Sequence, residues 1–216
     1  MTSEERAMLR RWAEALGVSL SDGAVRRLGG FVTLLEEWNE RIHLTGERSR
    51  EGIIQKHVVD AFAIVPLLPD VGPIVDIGAG AGFPGIVLAA VRPTLDIVLI
   101  DSRRRPVSFL REVIRTLPLP HARAVQCRAE DAARDPALAR RARLVVARAL
   151  RLDTVLALAR PLLAADGTAL AMQTPRALER AEAMAAAAGF RLASVCRYEL
   201  QGGTERALLL FEPATR

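Results

Sequence analysis

The chain has 216 residues and a net charge of +5, and 50% of its residues are hydrophobic. This length suits one domain with a small extension, and the hydrophobic share excludes global disorder. Only two cysteines are present, Cys127 and Cys196, which argues against a disulfide framework or a cysteine-rich zinc site. The mixed charges of the first residues and the lack of a long apolar run predict a cytoplasmic protein without signal peptide or membrane span.

Arginine dominates the basic residues, because Lys56 is the only lysine. The pI of about 10.4 favours an anionic partner such as nucleic acid, although genome composition is an alternative explanation for the arginines. Aromatic residues make up 4% of the chain, too few for an aromatic base-stacking platform. The composition therefore indicates an anionic partner without identifying it.

The first part of the chain shows the periodicity of helices. The first predicted helix is amphipathic and covers Ser3–Leu16. The second follows the cap signal Ser21-Asp22, and the third runs from Ser49 to Pro66. We therefore predict an N-terminal helical extension at residues 1–70 and a second domain at residues 71–216.

After the extension, short β-branched runs alternate with helical patterns, which is typical of βαβ units with a parallel sheet. The predicted strands are Ile74–Ile77, Asp96–Ile100, Ala124–Cys127, Leu144–Ala147, Thr168–Met172, Leu192–Leu200 and Arg206–Phe211. The last two are separated only by QGGTE, so they should form a hairpin. The helices predicted between the strands are Gly85–Val91, Pro106–Leu117, a short irregular one around Ala132–Arg140, Leu152–Leu163 and Pro175–Ala188. The pattern predicts an α/β fold whose mostly parallel, seven-stranded sheet contains an antiparallel C-terminal strand.

The glycine-rich stretch VDIGAGAGFPG, Val75–Gly85, fits two ligands. Read from Gly78 it is GxGxG, which suggests S-adenosylmethionine (SAM), and read from Gly80 it is GxGxxG, which suggests NAD or FAD. Asp76 suits the ammonium group of SAM better than it suits a pyrophosphate. No domain remains for the substrate of a dehydrogenase, and a C-terminal hairpin is a feature of class I methyltransferases. SAM is therefore the expected cofactor, and a dinucleotide oxidoreductase is the alternative.

Three further positions follow predicted strands at the edge where such sheets bind ligands. Asp101 is expected to bind the ribose hydroxyls, or else to cap a helix. Ala129-Glu130-Asp131 stands where the adenine would lie, or forms a solvated acidic turn. Arg148 is expected to hold the SAM carboxylate or a substrate phosphate, unless it only pairs with a nearby acid such as Asp76 or Glu130.

The longest recognisable stretch is DIGAGAGFPGIVLAAVRP, Asp76–Pro93. Together with LIDSRRRPVSFLREV, QCRAED, ARAL and the upstream WNERIHLTG and KHVVDA, it resembles the ribosomal small-subunit methyltransferase G family, also called glucose-inhibited division protein B. The resemblance extends from about Trp38 to the C-terminus. It implies a class I, Rossmann-like SAM-dependent methyltransferase that methylates N7 of a guanine in 16S ribosomal RNA. The implied partner is 16S rRNA or the small ribosomal subunit, and we expect a monomer without metal.

The resemblance implies SAM contacts at Gly78, Phe83, Ala129, Glu130 and Arg148, and roles for Lys56, His57 and Asp60. With guanine as the implied substrate, its O6 is a further group that Arg148 could hold. Together with the residue arguments, the expected cofactor-binding residues are Asp76, Gly78, Gly80, Gly82, Phe83, Asp101, Ala129, Glu130 and Arg148. The expected catalytic residues are Arg148, Lys56 and His57. The expected RNA-binding residues are Arg48, Arg50, Arg103, Arg104, Arg105 and Gln173. At Gln173 the family usually has a lysine, so the chain lacks a charge there.

Methylation at guanine N7 needs no general base, because N7 carries a free lone pair and no proton. Positioning and electrostatics are then sufficient, which fits the lack of an obvious catalytic motif.

Two alternatives stay open: a methyltransferase of a small molecule with the helices as a lid, and a non-catalytic SAM- and RNA-binding protein. Structural explanations also stay open for single residues. His57 could be a histidine of the core, Lys56 could be a lysine retained by chance, and each arginine cluster could be a solvated surface.

Overall fold

The computed structural model of the protein describes residues 1–214. The N-terminal helices begin at the predicted caps: Ser21 Oγ accepts a hydrogen bond from the Ala24 N–H, and Ser49 Oγ accepts one from the Gly52 N–H. The elements of this extension are α1 (Ser3–Ala15), α2 (Asp22–Ile42), α3 (Arg50–Ile53), a π-helical turn (Ile54–Val58), α4 (Val59–Phe62) and a 3-10 turn (Val65–Leu67).

The third predicted helix is interrupted by the π-helical turn. The Val59 N–H donates to the carbonyl of Ile54, five residues earlier, which widens the helix. The carbonyl of Lys56, inside this turn, accepts a hydrogen bond from the side chain of Arg148. Hydrophobic periodicity cannot reveal such a tertiary contact, and π-helical turns occur frequently at functional sites.

The sheet has seven strands in the order β3-β2-β1-β4-β5-β7-β6 among the described residues. All neighbouring pairs from β3 to β5 are parallel, whereas β7 is antiparallel to both β5 and β6. This confirms the predicted C-terminal hairpin. The strands are β1 (Ile74–Ile77), β2 (Ile97–Asp101), β3 (Ala122–Gln126), β4 (Ala142–Arg148), β5 (Leu163–Gln173), β6 (Phe190–Leu200) and β7 (Thr204–Pro213). The helices between them are α5 (Gly85–Val91), α6 (Arg104–Thr116), α7 (Ala129–Ala132), α8 (Leu152–Ala159) and α9 (Leu178–Ala187), with a 3-10 turn at Pro175–Ala177.

Two apolar clusters cover the two faces of the sheet, because side chains alternate along each strand. One cluster joins Ile74 of β1 to Leu28 and Phe31 of α2, so the helical extension shares its core with the sheet. The other joins Val75 to the helices α7, α8 and α9. The boundary at residue 70 stays a prediction. No helix within residues 1–214 is long and apolar enough to cross a membrane.

Candidate active site

The glycine loop joins β1 to α5 at the carboxyl edge of the sheet. Gly78, Gly80 and Gly82 have φ angles of 72°, 53° and 94°, in the left-handed region that favours glycine. These are the glycines of the GxGxG register. Gly85 serves a different purpose, because a Cβ there would lie 2.6 Å from Oδ2 of Asp76. The backbone conformation of the loop therefore follows the register that suggests SAM.

A cavity of about 430 Å3 opens at the carboxyl ends of β1, β2, β3 and β4. Ligands bind at this edge in open α/β sheets, and we call it the sheet-edge cavity. Six residues singled out from the sequence line it: Gly78, Asp101, Arg103, Ala129, Glu130 and Arg148. Four other expected cofactor residues lie outside its lining: Asp76, Gly80, Gly82 and Phe83. The structure thus brings together most of the predicted nucleoside contacts.

Asp76 lies beneath the glycine loop, with none of its surface exposed. Its Oδ2 accepts a hydrogen bond of 2.8 Å from the Gly85 N–H at the start of α5, and its Oδ1 has no partner among the described residues. Burial raises the pKa of Asp76 to about 7, and the charge of Asp101 adds to the effect. The carboxylate therefore supports the loop from below, and its predicted contact with an ammonium group stays a prediction.

Asp101 ends β2 and is buried at the cavity wall. Its Oδ2 accepts from the Gly80 N–H at 3.0 Å, and its Oδ1 accepts from the Arg103 N–H at 2.9 Å. The guanidinium of Arg103 lies 3.2 Å from both carboxylate oxygens. Asp101 thus links the glycine loop to the segment before α6. The exposed Arg103 side chain occupies the oxygens that ribose hydroxyls would use.

Phe83 connects the glycine loop to the helical extension. Its ring lies 5.1 Å from that of Phe31 and 5.0 Å from the imidazole of His57, measured between centroids. The guanidinium carbon of Arg148 lies 5.9 Å from the same ring. Phe83 therefore packs behind Arg148, outside the lining of the sheet-edge cavity. A direct contact with the methyl donor stays a prediction.

Arg148, at the end of β4, is held by three groups of the helical extension. Its Nε lies 3.0 Å from Oδ2 of Asp60, and its Nη2 donates to the carbonyl of Lys56 at 3.1 Å and to Nδ1 of His57 at 2.8 Å. No hydrogen bond within residues 1–214 uses Nη1, so two of the five guanidinium N–H groups stay available. Arg148 does form an ion pair, but with Asp60 rather than with either acid expected from the sequence.

His57 has both ring nitrogens engaged. Because Nδ1 accepts from Arg148, the proton resides on Nε2, which lies 3.2 Å from Oγ1 of Thr45. Burial, followed by the charge of Arg148, lowers the pKa of His57 to about 4. A neutral imidazole in this arrangement orients the guanidinium. The structure favours this positioning role over the direct catalytic role expected from the sequence.

A second cavity, of about 420 Å3, adjoins the first and shares Arg148, Ala149 and Leu150 with it. We call it the neighbouring cavity. Its other lining residues are Asp60, Arg151, Met172, Gln173, Thr174 and Arg206. Ala149 on the shared wall has a φ of 60°, a left-handed conformation that is rare for a non-glycine residue and concentrates at functional sites. Gln173 donates from Nε2 to the Leu150 carbonyl at 3.0 Å, which fixes its side chain at this wall.

Lys56 is 66% exposed and lies outside the lining of both cavities. Its Nζ lies 2.7 Å from Oε2 of Glu47, and this hydrogen bond is the main cause that lowers the pKa of Glu47 to about 2. The backbone carbonyl of Lys56, rather than its ammonium group, contacts Arg148. Nothing in this geometry places the side chain against a reacting atom.

The arginines expected to bind RNA divide into two groups. Arg48, Arg104 and Arg105 are exposed and form no ion pair within the described part of the chain. The guanidinium of Arg50 instead pairs with a glutamate of α1 and a glutamate of α2, which ties α3 to both helices. This gives Arg50 a structural role in place of the free cation that RNA contact would need.

The cavity walls offer neither a metal cluster nor a reactive thiolate. Within residues 1–214, no group of three or more His, Cys, Asp and Glu side chains could hold a metal ion. Cys127 lines the sheet-edge cavity, and burial raises the pKa of its thiol, which keeps it protonated near neutral pH.

Arg148, its partners Asp60, Lys56 and His57, and the side chains that contact Asp60 or His57 form what we call the Arg148 network. Sequence reasoning missed three of its residues: Thr45, Tyr198 and Arg206. The hydroxyl of Tyr198 donates to Oδ1 of Asp60 at 2.6 Å, and Nε of Arg206 lies 3.8 Å from the same oxygen. Tyr198 is the only tyrosine of the chain, but it lies 138 residues from its partner. Being the only tyrosine is the one sequence feature that singles out Tyr198, and no local pattern connects it to Asp60.

The fold matches those of solved structures of other proteins. The ribosomal protein L11 methylase of Lactobacillus delbrueckii subsp. bulgaricus superposes with a TM-score of 0.59 and 14% identity, covering 79% of this chain and 81% of that chain. The fibrillarin of Aeropyrum pernix, solved with bound SAM, gives a TM-score of 0.52 and 15% identity over 65% of this chain and 66% of its own. The protein therefore has the fold of a class I SAM-dependent methyltransferase.

Sequence comparison identifies the family. The GidB family, described as rRNA small subunit methyltransferase G, matches residues 24–209. A relative named "Ribosomal RNA small subunit methyltransferase G" from Anaeromyxobacter sp. is 38% identical over 196 residues, 90% of each chain. One of the same name from Symbiobacterium thermophilum is 37% identical over 218 residues, 95% of this chain and 88% of that one. The chain belongs to the rRNA small subunit methyltransferase G family, which confirms the resemblance, and SAM is its methyl donor.

Proposed function

We propose that the enzyme transfers a methyl group from SAM to N7 of a guanine in 16S ribosomal RNA. The names of its relatives support an RNA of the small subunit as substrate, and the motifs from Asp76 to Pro93 support the guanine-N7 reaction of that family. A cytoplasmic location goes with this substrate. Naked 16S rRNA and the assembled small subunit are both candidate forms of it.

The residues of the sheet-edge cavity fit SAM. The buried carboxylate of Asp101 lines the cavity and would accept hydrogen bonds from the ribose hydroxyls, and Ala129 and Glu130 line it where the adenine would lie. Gly78 brings backbone close to the cavity without a side chain. When bound, SAM supplies a methyl group on a positively charged sulfur. The methionine end would lie toward Gly78 and Arg148.

One observation supports the proposed reaction most directly: two cavities of similar size meet at Arg148, Ala149 and Leu150. A donor in the sheet-edge cavity and a guanine in the neighbouring cavity would approach each other at this shared wall. Holding both reactants in line supplies the main catalytic effect when the nucleophile already carries a free lone pair. A protein that only bound SAM would not need the neighbouring cavity.

Arg148 is suited to bind guanine without blocking N7. Arginine often contacts O6 and N7 of guanine together, but N7 must stay free to react. The ion pair with Asp60 and the bonds from Nη2 fix the guanidinium and leave Nη1 available as a donor to O6. A donor at O6 would also stabilise the purine as it gains positive charge. His57, with both nitrogens engaged, is not needed as a base.

The proposed function is tested by incubating the protein with labelled SAM and four substrates: small subunits, naked 16S rRNA, large subunits and a panel of nucleosides. We expect label in 16S rRNA alone among the RNAs, and mass spectrometry of digested RNA should identify 7-methylguanosine. Small subunits from a strain that lacks this methylation are the required substrate, since a modified guanine cannot accept a second methyl group at N7. Transfer only to nucleosides, or to none of the substrates, would overturn the proposal.

Arg148→Lys is the matched variant for this assay. Arg148→Ala would leave the 2% exposed Asp60 carboxylate without its closest cation, which destabilises a fold by several kcal/mol. Lysine keeps the charge but cannot supply the planar set of donors. We expect a folded variant whose kcat is lower by about 100-fold, in the range found when a preorganised donor is lost. Wild-type kcat in this variant would remove the Arg148 guanidinium from the mechanism.

A further inference from the structure

Asp60 lies at the centre of a buried network that joins three parts of the chain. It belongs to α4 of the helical extension and is 2% exposed. One carboxylate oxygen, Oδ2, contacts Nε of Arg148 at 3.0 Å at the end of β4. The other, Oδ1, accepts a 2.6 Å hydrogen bond from the hydroxyl of Tyr198 in β6. The carboxylate is therefore bonded on both sides, to the arginine of the shared wall and to the C-terminal hairpin.

Tyr198 is unusual for its strand. The residues around it on β6 are mostly exposed, whereas its ring packs against the cluster shared by sheet and extension. Arg206, its neighbour across the hairpin, lies 3.8 Å from Oδ1 of Asp60. Burial, with the charge of Asp60, raises the pKa of the Tyr198 hydroxyl above its ordinary value. The phenol therefore keeps its proton and acts as a fixed donor.

We propose that Tyr198 is a positioning residue for methyl transfer, a role that rests on the proposed function of the same site. Its hydroxyl holds the carboxylate of Asp60 in one orientation, and Asp60 in turn holds Nε of Arg148. Since His57 and the Lys56 carbonyl occupy Nη2, the orientation of Nη1 toward the shared wall is then determined. The C-terminal hairpin thus controls a side chain that it does not touch directly through any hydrogen bond within the described residues.

The effect concerns how the Arg148 guanidinium is held, and the binding of SAM is not involved. Asp60 lines the neighbouring cavity, where the guanine would lie. Tyr198 and Asp60 lie outside the lining of the sheet-edge cavity, so SAM affinity does not depend on the phenol. Tyr198 is also absent from the lining of the neighbouring cavity. Loss of its hydroxyl should therefore lower kcat and leave the KM for SAM unchanged.

Tyr198→Phe tests this role, since it removes only the hydroxyl. We expect kcat on small subunits to fall about tenfold, the effect of one lost hydrogen bond to a charged group, with the KM for SAM within about twofold of wild type. In an Arg148→Lys background the same substitution should have no further effect on kcat, because the two residues act in series. Wild-type kcat in Tyr198→Phe, or fully multiplicative effects in the double variant, would overturn the proposal.

Leu209→Ala is the control for loss of stability. Leu209 is fully buried on β7 but belongs to the cluster on the opposite face of the sheet, away from Asp60. It should lower the melting temperature at least as much as Tyr198→Phe and keep the wild-type kcat at temperatures where it is folded. An equal loss of kcat in this control would show that Tyr198 only stabilises the hairpin.

A spectroscopic measurement separates failure of this role from failure of the proposed function. The Nε–H resonance of Arg148, assigned by its absence in Arg148→Lys, reports the ion pair with Asp60 without any substrate. We expect Tyr198→Phe to shift it and Leu209→Ala to leave it in place. If wild type methylates no RNA but the shift appears, the proposed reaction is wrong and the positioning contact is correct. An unmoved resonance in Tyr198→Phe would overturn the positioning role in either case.

Discussion

Asp76 makes the stability of the ligand-free protein depend on pH. Its carboxyl is fully buried, and burial raises its pKa from 3.8 to about 7. Between these values the unfolded chain releases the proton while the folded chain keeps it, so the free energy of unfolding falls as the pH rises. At about 1.4 kcal/mol for each pH unit, the loss from this one group approaches roughly 4 kcal/mol near pH 7.

His57 acts in the opposite direction over part of the same range. Its pKa is lowered from 6.5 to about 4 in the folded protein. As the pH rises through this window, the unfolded chain loses a proton that the folded chain never held, so stability increases. In the wild type, the opposite effects of Asp76 and His57 on the free energy of unfolding partly cancel as the pH changes. A variant of Asp76 that keeps His57 isolates the contribution of the carboxyl.

Asp76→Asn is that variant, because an amide oxygen can accept the Gly85 N–H but carries no titrating proton. Urea unfolding followed by circular dichroism between about pH 4 and pH 8 gives the free energy of both proteins. We expect Asp76→Asn to gain up to roughly 4 kcal/mol relative to wild type across this range, with a constant difference above pH 7. A difference that does not change with pH would refute the reasoning and place the carboxyl near its ordinary pKa.

Three further substitutions test the site. Asp101→Asn should weaken SAM binding about tenfold by calorimetry, because one charged acceptor for the ribose is lost; unchanged affinity would contradict the ribose role. Arg103→Ala should tighten SAM binding by up to about fivefold, since the exposed Arg103 side chain competes for the oxygens of the buried Asp101, and should reduce the salt dependence of RNA binding. Weaker SAM binding would instead show a cofactor contact. Lys56→Arg should keep wild-type kcat, because the exposed ammonium group of Lys56 pairs with Glu47 outside both cavities; a large loss would show that the ammonium group itself is required.

The sheet was predictable because each strand carries its own apolar pattern. The bounds of β1 and α5 match the expectation at both ends. The other strands begin and end within two residues of it, except that β5 begins five residues earlier. The helix predicted to continue to Leu163 ends at Ala159, because Pro161 follows and β5 already begins at Leu163. The short helix expected around Ala132–Arg140 is wrong: α7 covers Ala129–Ala132, and Asp135, which precedes a proline, disfavours a helix beyond it.

The nucleoside side of the site was predictable for the same local reason. Gly78, Asp101 and Ala129 each lie at or shortly after the end of a strand, and parallel strands bring their carboxyl ends to one edge. The Arg148 network was not predictable from any local pattern, because its members come from the extension, β4 and the hairpin. The sequence suggests Asp76 or Glu130 as nearby acids for Arg148, whereas its partner is Asp60, from a helix that no strand pattern places.

The hydrogen bond between Tyr198 and Asp60 also sets an order of assembly. The sheet-edge cavity is lined by residues from Ile77 to Leu158, so it is complete before the hairpin is synthesised. The hydrogen bond from Tyr198 to Asp60, which supports Arg148, forms only when β6 has paired with β7. Tyr198 and Asp60 are 138 residues apart, and contacts of such separation form late in folding. A growing chain therefore acquires the cavity for its methyl donor before it acquires the arrangement that can use it.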